Sequence, residues 1–120
     1  MEKKIELFGD VANCPIRNVL DRFGDKWSIL VILLLKEGEK VRFGELRKAI
    51  GDISQKMLTV TLRSLEADGL VSREVFPEIP PRVEYELTEL GLSLVPHIES
   101  LSAWASNHFP EIMASREAYS

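Results

Sequence analysis

The chain has 120 residues, 45% of them apolar and 28% charged, which fits one globular domain with a real core and leaves no room for a second catalytic domain. The longest apolar run, Ile29 to Leu35, is about a third of the ~20 residues that a membrane helix needs, and the opening Met-Glu-Lys-Lys-Ile-Glu lacks the apolar core of a secretion signal. With Cys14 as the single cysteine and a net charge of −4, an internal disulfide scaffold is excluded, and a soluble, cytoplasmic protein without a membrane partner is expected.

Residues 1–13 show little periodicity and read as a loose arm, and 14–120 as a single domain. Pro15 starts a first helix through Phe23, with Ile16, Val19, Leu20 and Phe23 on one face and Gly24 at its end. A second helix over 25–36, apolar nearly all round from Trp27 to Leu35, is expected at the centre of the bundle, and Gly38 stops it. A short extended piece at Val41 precedes an amphipathic helix from Phe43 to Ile50, where Phe43, Leu46 and Ile50 recur at helical spacing. Gly51-Asp52-Ile53 forms a turn. Ser54 is the N-cap of the next helix, whose apolar stripe is Leu58, Leu62 and Leu65, and Gly69 ends it.

The chain's acidity is uneven along this path. From Lys40 to Arg63 six basic residues (Lys40, Arg42, Arg47, Lys48, Lys56, Arg63) face Glu45 and Asp52, a balance of +4, and the remainder carries −8. Such a basic quarter is either a face presented to nucleic acid or a solvated surface.

Two strands follow, 70–76 and 82–87, with Val71 and Val75 in the first and Val83, Tyr85 and Leu87 in the second. Pro77-Glu78-Ile79-Pro80-Pro81 cannot join a ladder, so it projects from the hairpin as a wing. Thr88 caps a final helix over 88–115. Its stripe of Leu90, Leu94, Ile98, Leu101 and Ala105, with Trp104 beside it, wants a partner, and Pro96 should kink it near 92–96. The class is α+β, mainly α: a winged helix-turn-helix with a three-helix core and a two-stranded hairpin wing.

Linked motifs sharpen that class. Cys14-Pro15, Gly24-Asp25-Lys26-Trp27, Arg42-Phe43-Gly44-Glu45-Leu46, Ile53-Ser54-Gln55-Lys56-Met57-Leu58-Thr59, Leu65-Glu66-Ala67-Asp68-Gly69-Leu70, Pro77 through Tyr85 and Leu87-Thr88-Glu89-Leu90-Gly91 together resemble the HxlR-type family of bacterial regulators, over residues 14 to about 106. The resemblance implies a homodimeric transcriptional regulator, with dimer contacts from the N- and C-terminal helices (Leu90, Leu94, Ile98, Leu101, Trp104, Ala105) and operator reading by the helix after the turn. It also implies a redox sensor role for Cys14, since some family members sense oxidants or electrophiles through a cysteine at this position. The alternative for Cys14 is a small apolar filler.

With the leucine stripe turned inward, Ser54, Gln55, Lys56, Thr59, Val60 and Arg63 form the candidate reading surface. Gln55 suits adenine, Arg63 suits guanine or phosphate, Lys56 suits phosphate, and Thr59 either. Val60 departs from the polar residue that the family pattern leads one to expect and offers only methyls to a thymine. Arg42, Arg47 and Lys48 are candidates for flanking phosphate contacts, with two of the three expected to serve and any one of them alternatively a solvated surface residue. Arg82, at the wing, is either a phosphate or minor-groove contact or the partner of Glu78 or Glu84.

No cofactor or metal site is legible. His97 and His108, eleven apart on one helix, lie about 16 Å from each other along it and cannot share an ion. Trp27, Trp104, Phe43 and Phe109 read as core and interface aromatics, or as the lining of an effector cavity between the dimerisation helices and the body. Double-stranded DNA, a second copy of the chain and a small-molecule or oxidant effector are the expected partners. The rival functions are a winged-helix protein-interaction module and a sensor acting through a partner protein, and an enzyme ranks last.

Overall fold

The computed structural model describes residues 14–119, so the arm at 1–13 and Ser120 lie outside the described residues. Among the described residues five helices and three strands run in the order α1 (Pro15–Phe23), α2 (Lys26–Leu34), β1 (Val41–Arg42), α3 (Phe43–Ile50), α4 (Gln55–Ala67), β2 (Val71–Phe76), β3 (Arg82–Leu87) and α5 (Glu89–Tyr119).

Local chemistry sets the boundaries. Asp25 caps α2 by accepting from the Trp27 and Ser28 backbone N–H groups at 3.0 and 2.9 Å and from the Ser28 hydroxyl at 2.8 Å. Burial alone acts to raise the Asp25 carboxyl, but the hydrogen bonds from Ser28 and Trp27 outweigh it and hold the group below its ordinary value. Ser54 caps α4 through Met57 N–H. At the other end of α4, Gly69 takes φ +78°, which lets Gly69 N–H reach Glu66 O and Leu70 N–H reach Leu65 O, and the helix closes on the left-handed turn that the sequence predicts there.

The core is one cluster. Val31, Ile32 and Leu35 of α2 and its end, Leu46 of α3, Ile53, Leu58, Leu62 and Leu65 of α4, Val71, Tyr85 and Leu87 of the sheet and Val95 of α5 are all buried, with Trp27, Phe43, Leu94 and Ile98 packed against them. Burying an aliphatic chain of this size stabilises by roughly 1.5–3 kcal/mol, so this cluster, not helix propensity, fixes the angle between α3 and α4. α2 is central as expected, though its Leu30 and Leu34 edge stays exposed.

Two features differ from the sequence reading, the number of strands and the end of the last helix. The sheet is three-stranded and antiparallel, in the order β1-β3-β2, because Val41 and Arg42 pair with Tyr85 and Glu84, and the wing strands are therefore joined to the start of α3. On α1, Ile16, Val19 and Leu20 are exposed, the side chain of Phe23 lies outside the described residues, and Arg22 ties the helix to Asp68 by an ion pair at 3.1 Å. The last helix, α5, runs past 115 to Tyr119 and contains both Pro96 and Pro110. Both prolines are exposed, as is Leu92, the residue one turn before Pro96, so water can serve the carbonyl that Pro96 leaves without a donor.

α5 is anchored at its start. Thr88 Oγ1 donates to Gly69 O and accepts from Gly91 N–H, while Thr88 N–H bonds Leu70 O. A Cβ on Gly91 would lie 2.2 Å from Leu70 O, so only glycine allows this junction between the end of α4 and the start of α5. Beyond Glu99, which pairs with Lys36 at 3.1 Å, the helix leaves the body. The radius of gyration is 17.5 Å, against about 14 Å for a compact chain of this length. No helix among the described residues is long and apolar enough to cross a membrane.

Candidate nucleic-acid interface

α3, the turn Gly51–Ser54 and α4 form the helix-turn-helix, and the inward face of α4 decides which side chains remain outside. Leu58, Thr61, Leu62 and Leu65 are buried, and the buried Thr61 hydroxyl is satisfied by donating to Met57 O at 2.8 Å. Ser54, Gln55, Lys56, Val60 and Arg63 are exposed, and Thr59 is half-buried. The Thr59 hydroxyl donates to Gln55 O at 2.9 Å, so toward a ligand it offers a methyl group and acceptor lone pairs but no proton. Ser54 Oγ is occupied as the cap acceptor, which leaves its hydroxyl proton to donate outward. Met57, missed in the sequence reading, is 42% exposed beside Val60 at 53%, so α4 presents an apolar pair between its polar ends. The three-residue spacing of 57 and 60 was the available signal, and the sequence reading gave Met57 no place on either face.

Charge separates this surface from the rest of the chain. Arg47 and Lys48 on α3, with Lys56 and Arg63 on α4, make no ion pair with any described residue. Elsewhere Arg22, Lys36, Lys40, Arg42, Arg73 and Arg82 each face a carboxylate. Lys26 lies over the Trp27 ring, 4.4 Å from its centre, and Arg116 stands far along α5. The Lys40 ammonium is held above its ordinary value by its hydrogen bond to Glu74. Burial raises the Tyr85 phenol on β3, while Arg73 opposes that shift.

The structure thus brings Gln55, Lys56, Thr59, Val60 and Arg63 together on one helix, with Arg47 and Lys48 on the helix before it. It does not leave Arg42 and Arg82 in the same condition. Arg42 approaches Glu84 at 3.8 Å, and Arg82 is engaged by both Glu78 and Glu84, the second of the two roles that the sequence left open.

The remaining candidates lie away from this surface. Cys14 is the N-cap of α1, half-buried, and its side chain makes no capping bond. Leu94 and Ile98 pack on the core, whereas Leu90, Leu101, Trp104 and Ala105 are exposed, with Phe109, Ile112 and Met113 further along. His108 stacks on Trp104 with ring centres 4.7 Å apart, and His97 lines an open groove of about 420 Å³ with Arg22, Asp68, Leu70, Leu90, Ser93 and Leu94. That groove lies between α1, the end of α4 and α5, where an effector cavity is expected, but it is walled by an ion pair rather than by aromatics. Among the described residues no group of three His, Cys, Asp or Glu is placed to hold a metal ion.

Residues 22–113 match the HxlR-like helix-turn-helix family. An HTH-type transcriptional regulator of Methanothermobacter thermautotrophicus is 50% identical over 91 residues, 76% of this chain and 69% of that protein. Among solved structures, the transcriptional regulator YtfH of Salmonella typhimurium superposes with a TM-score of 0.79 at 37% identity, covering 89% of this chain and 95% of that one. The redox regulator HypR in its reduced form superposes with a TM-score of 0.78 at 40% identity, covering 83% of this chain and 98% of that one. Its oxidized form gives a TM-score of 0.72 at 44% identity, over 78% of this chain and 96% of that one. The chain belongs to the HxlR-like helix-turn-helix family of transcriptional regulators.

Proposed function

We propose that the protein is a sequence-specific, double-stranded DNA-binding regulator that acts as a homodimer on a partly palindromic operator. α4 enters the major groove with Gln55, Thr59, Val60 and Arg63 against base edges, Ser54 and Lys56 serve the backbone, and Arg47 and Lys48 hold flanking phosphates. The observation that carries this reading is the set of cations on α3 and α4 that have no carboxylate partner among the described residues, in a chain of net charge −4. Unneutralised Lys and Arg are what phosphates require, because binding releases the counterions condensed on DNA.

The second copy is supported by the outer half of α5. Leu101, Trp104 and Phe109 are 60, 52 and 57% exposed on a helix that leaves the body, and the exposed Ile16, Val19 and Leu20 face of α1 supplies further apolar surface. Helices that expose this much apolar area without a packing partner are stabilised by association. Two copies set the recognition helices about 34 Å apart, one turn of duplex. Trp104→Glu converts the dimer to monomer in analytical ultracentrifugation and weakens operator binding together with it.

A thiol response is favoured by one observation. Cys14 is a free, partly accessible cysteine at the N-terminus of α1, where an oxidant can reach it. HypR, whose two redox forms superpose on this chain, is itself a redox regulator. Because Cys14 is the only cysteine, oxidation joins it to Cys14 of the second copy or to a small thiol.

The test is an anisotropy titration on the DNA upstream of the protein's own gene and its neighbours, at two salt concentrations, with reduced, oxidised and Cys14→Ser protein. Tight, salt-sensitive binding weakened by Lys56→Ala is the expected result. Absence of binding in every redox state moves the assignment to a winged-helix interaction module.

A further inference from the structure

Four charged side chains and a ring meet at the base of the wing. Arg82, at the start of β3, donates from Nη1 to Glu78 Oε1 and places Nε 3.0 Å from Glu84 Oε2. The latter approach is not along the N–H direction, so it is an ion pair without hydrogen-bond geometry. The guanidinium carbon lies 4.0 Å from the centre of the ring of Phe76, the residue paired with Arg82 across the β2–β3 ladder. Glu84 Oε2 also faces Arg42 Nε at 3.8 Å, across the β1–β3 pairing.

The arrangement resolves a conflict in the sheet. Glu74 and Glu84 stand directly opposite on β2 and β3, a like-charge pair that destabilises a ladder. Lys40 draws Glu74 away at 2.6 Å, and the two arginines hold Glu84. The Arg82 and Glu84 side chains are only 24 and 17% exposed, so the attraction between them is less screened than that of a surface pair. A guanidinium held by two carboxylates and a ring must give up those contacts before it can reach a phosphate.

We infer that Arg82 is a positioning residue for the wing and not a DNA contact. It ties the proline loop, through Glu78, to β3, through Glu84, and Glu84 passes the tie to Arg42, the N-cap of α3. The wing tip, where Ile79 is fully exposed, is thereby held in register with the helix-turn-helix, and both meet DNA as one unit. This inference rests on the DNA-binding function proposed above.

Arginine is specific to the task, since its planar fork spans two carboxylates while its face covers a ring, which a lysine ammonium cannot do. The experiment measures operator affinity and its salt dependence for Arg82→Gln, Arg82→Lys and Glu84→Gln, with amide hydrogen exchange over 77–84 in the free protein. Loss of the tie lowers affinity about threefold to tenfold in all three variants, the range expected for partly exposed ion pairs acting together. The slope of log affinity against log salt stays at the wild-type value, Lys does not rescue, and wing amides exchange faster. Glu84→Gln is decisive by its sign. It removes a negative charge near DNA and frees Arg82, so electrostatics alone predicts tighter binding.

A slope reduced by about 1.8 per dimer in Arg82→Gln, rescue by Lys and tighter binding by Glu84→Gln would establish Arg82 as a phosphate contact and overturn the inference. If the wild-type protein binds no DNA, the proposed function fails instead. Hydrogen exchange then still decides the tie: unchanged wing amides in Arg82→Gln overturn it, and faster ones keep it as a feature of the fold.

Discussion

Lys56 and Arg63 on α4 stand without a carboxylate partner among the described residues, whereas Arg73 and Arg82 on the hairpin are each engaged by glutamates. Both regions carry basic side chains into surfaces that a winged helix-turn-helix turns toward DNA, yet only one keeps them available. In a chain with 19 acidic and 15 basic residues carboxylates are in excess, so four cations without a carboxylate among the described residues, gathered on two successive helices, are informative as a cluster. On the proposed function the contrast divides labour: the cations of α3 and α4 are offered to phosphates, and those of the wing are engaged within its own geometry.

The largest effects test whether the two faces of α4 are separate. Leu62→Ala, on the buried face, costs roughly 2–5 kcal/mol of stability by chemical denaturation. Val60→Ala, two residues away on the exposed face, shifts stability by no more than about 0.5 kcal/mol and changes only DNA affinity. A large stability loss at Val60 would mean that α4 does not present the face described here.

Next in size is the division within that face. Arg63→Ala weakens specific DNA by roughly 1–3 kcal/mol while random DNA is little affected, if the guanidinium makes a bidentate base contact. Equal losses on both DNAs reduce it to a phosphate contact.

The smallest effects compare the caps of α2 and α4. Asp25→Ala and Ser54→Ala each cost about 1 kcal/mol at pH 7. They differ in acid. The Asp25 carboxyl is depressed below 3.8 in the folded chain, so its contribution is fully present above the unfolded value and is lost as pH falls through the folded one. Denaturant midpoints between pH 7 and pH 2 therefore show the Asp25→Ala penalty shrinking below about pH 4 while the Ser54→Ala penalty persists.

Much of this was legible from residues alone, and the reasons for the rest are physical. Phe43–Ile50 and Gln55–Ala67 were readable because caps, stripe and stop agree locally. The extended piece at Val41 was readable, but its pairing into the sheet was not, because two residues carry no periodicity and the partner lies more than forty positions away. The fate of the α1 face was hidden because an amphipathic helix buries its stripe equally well against its own chain or another. For the candidate site, spacing placed Gln55, Lys56, Thr59, Val60 and Arg63 correctly on the outer face. It could not choose between the two roles of Arg82, since that choice depends on Phe76 and Glu84 being its neighbours in the sheet.

The most direct test is the salt dependence of operator binding for Lys56→Ala measured beside Lys40→Gln, a cation without a carboxylate partner among the described residues against one paired with Glu74. The expected result is a slope of log affinity against log salt that falls by about 1.8 per dimer for Lys56→Ala and stays at the wild-type value for Lys40→Gln. Equal slope changes in the two variants, or an unchanged slope for Lys56→Ala, would contradict the claim that the cations left without partners on the helix-turn-helix are the ones that meet DNA.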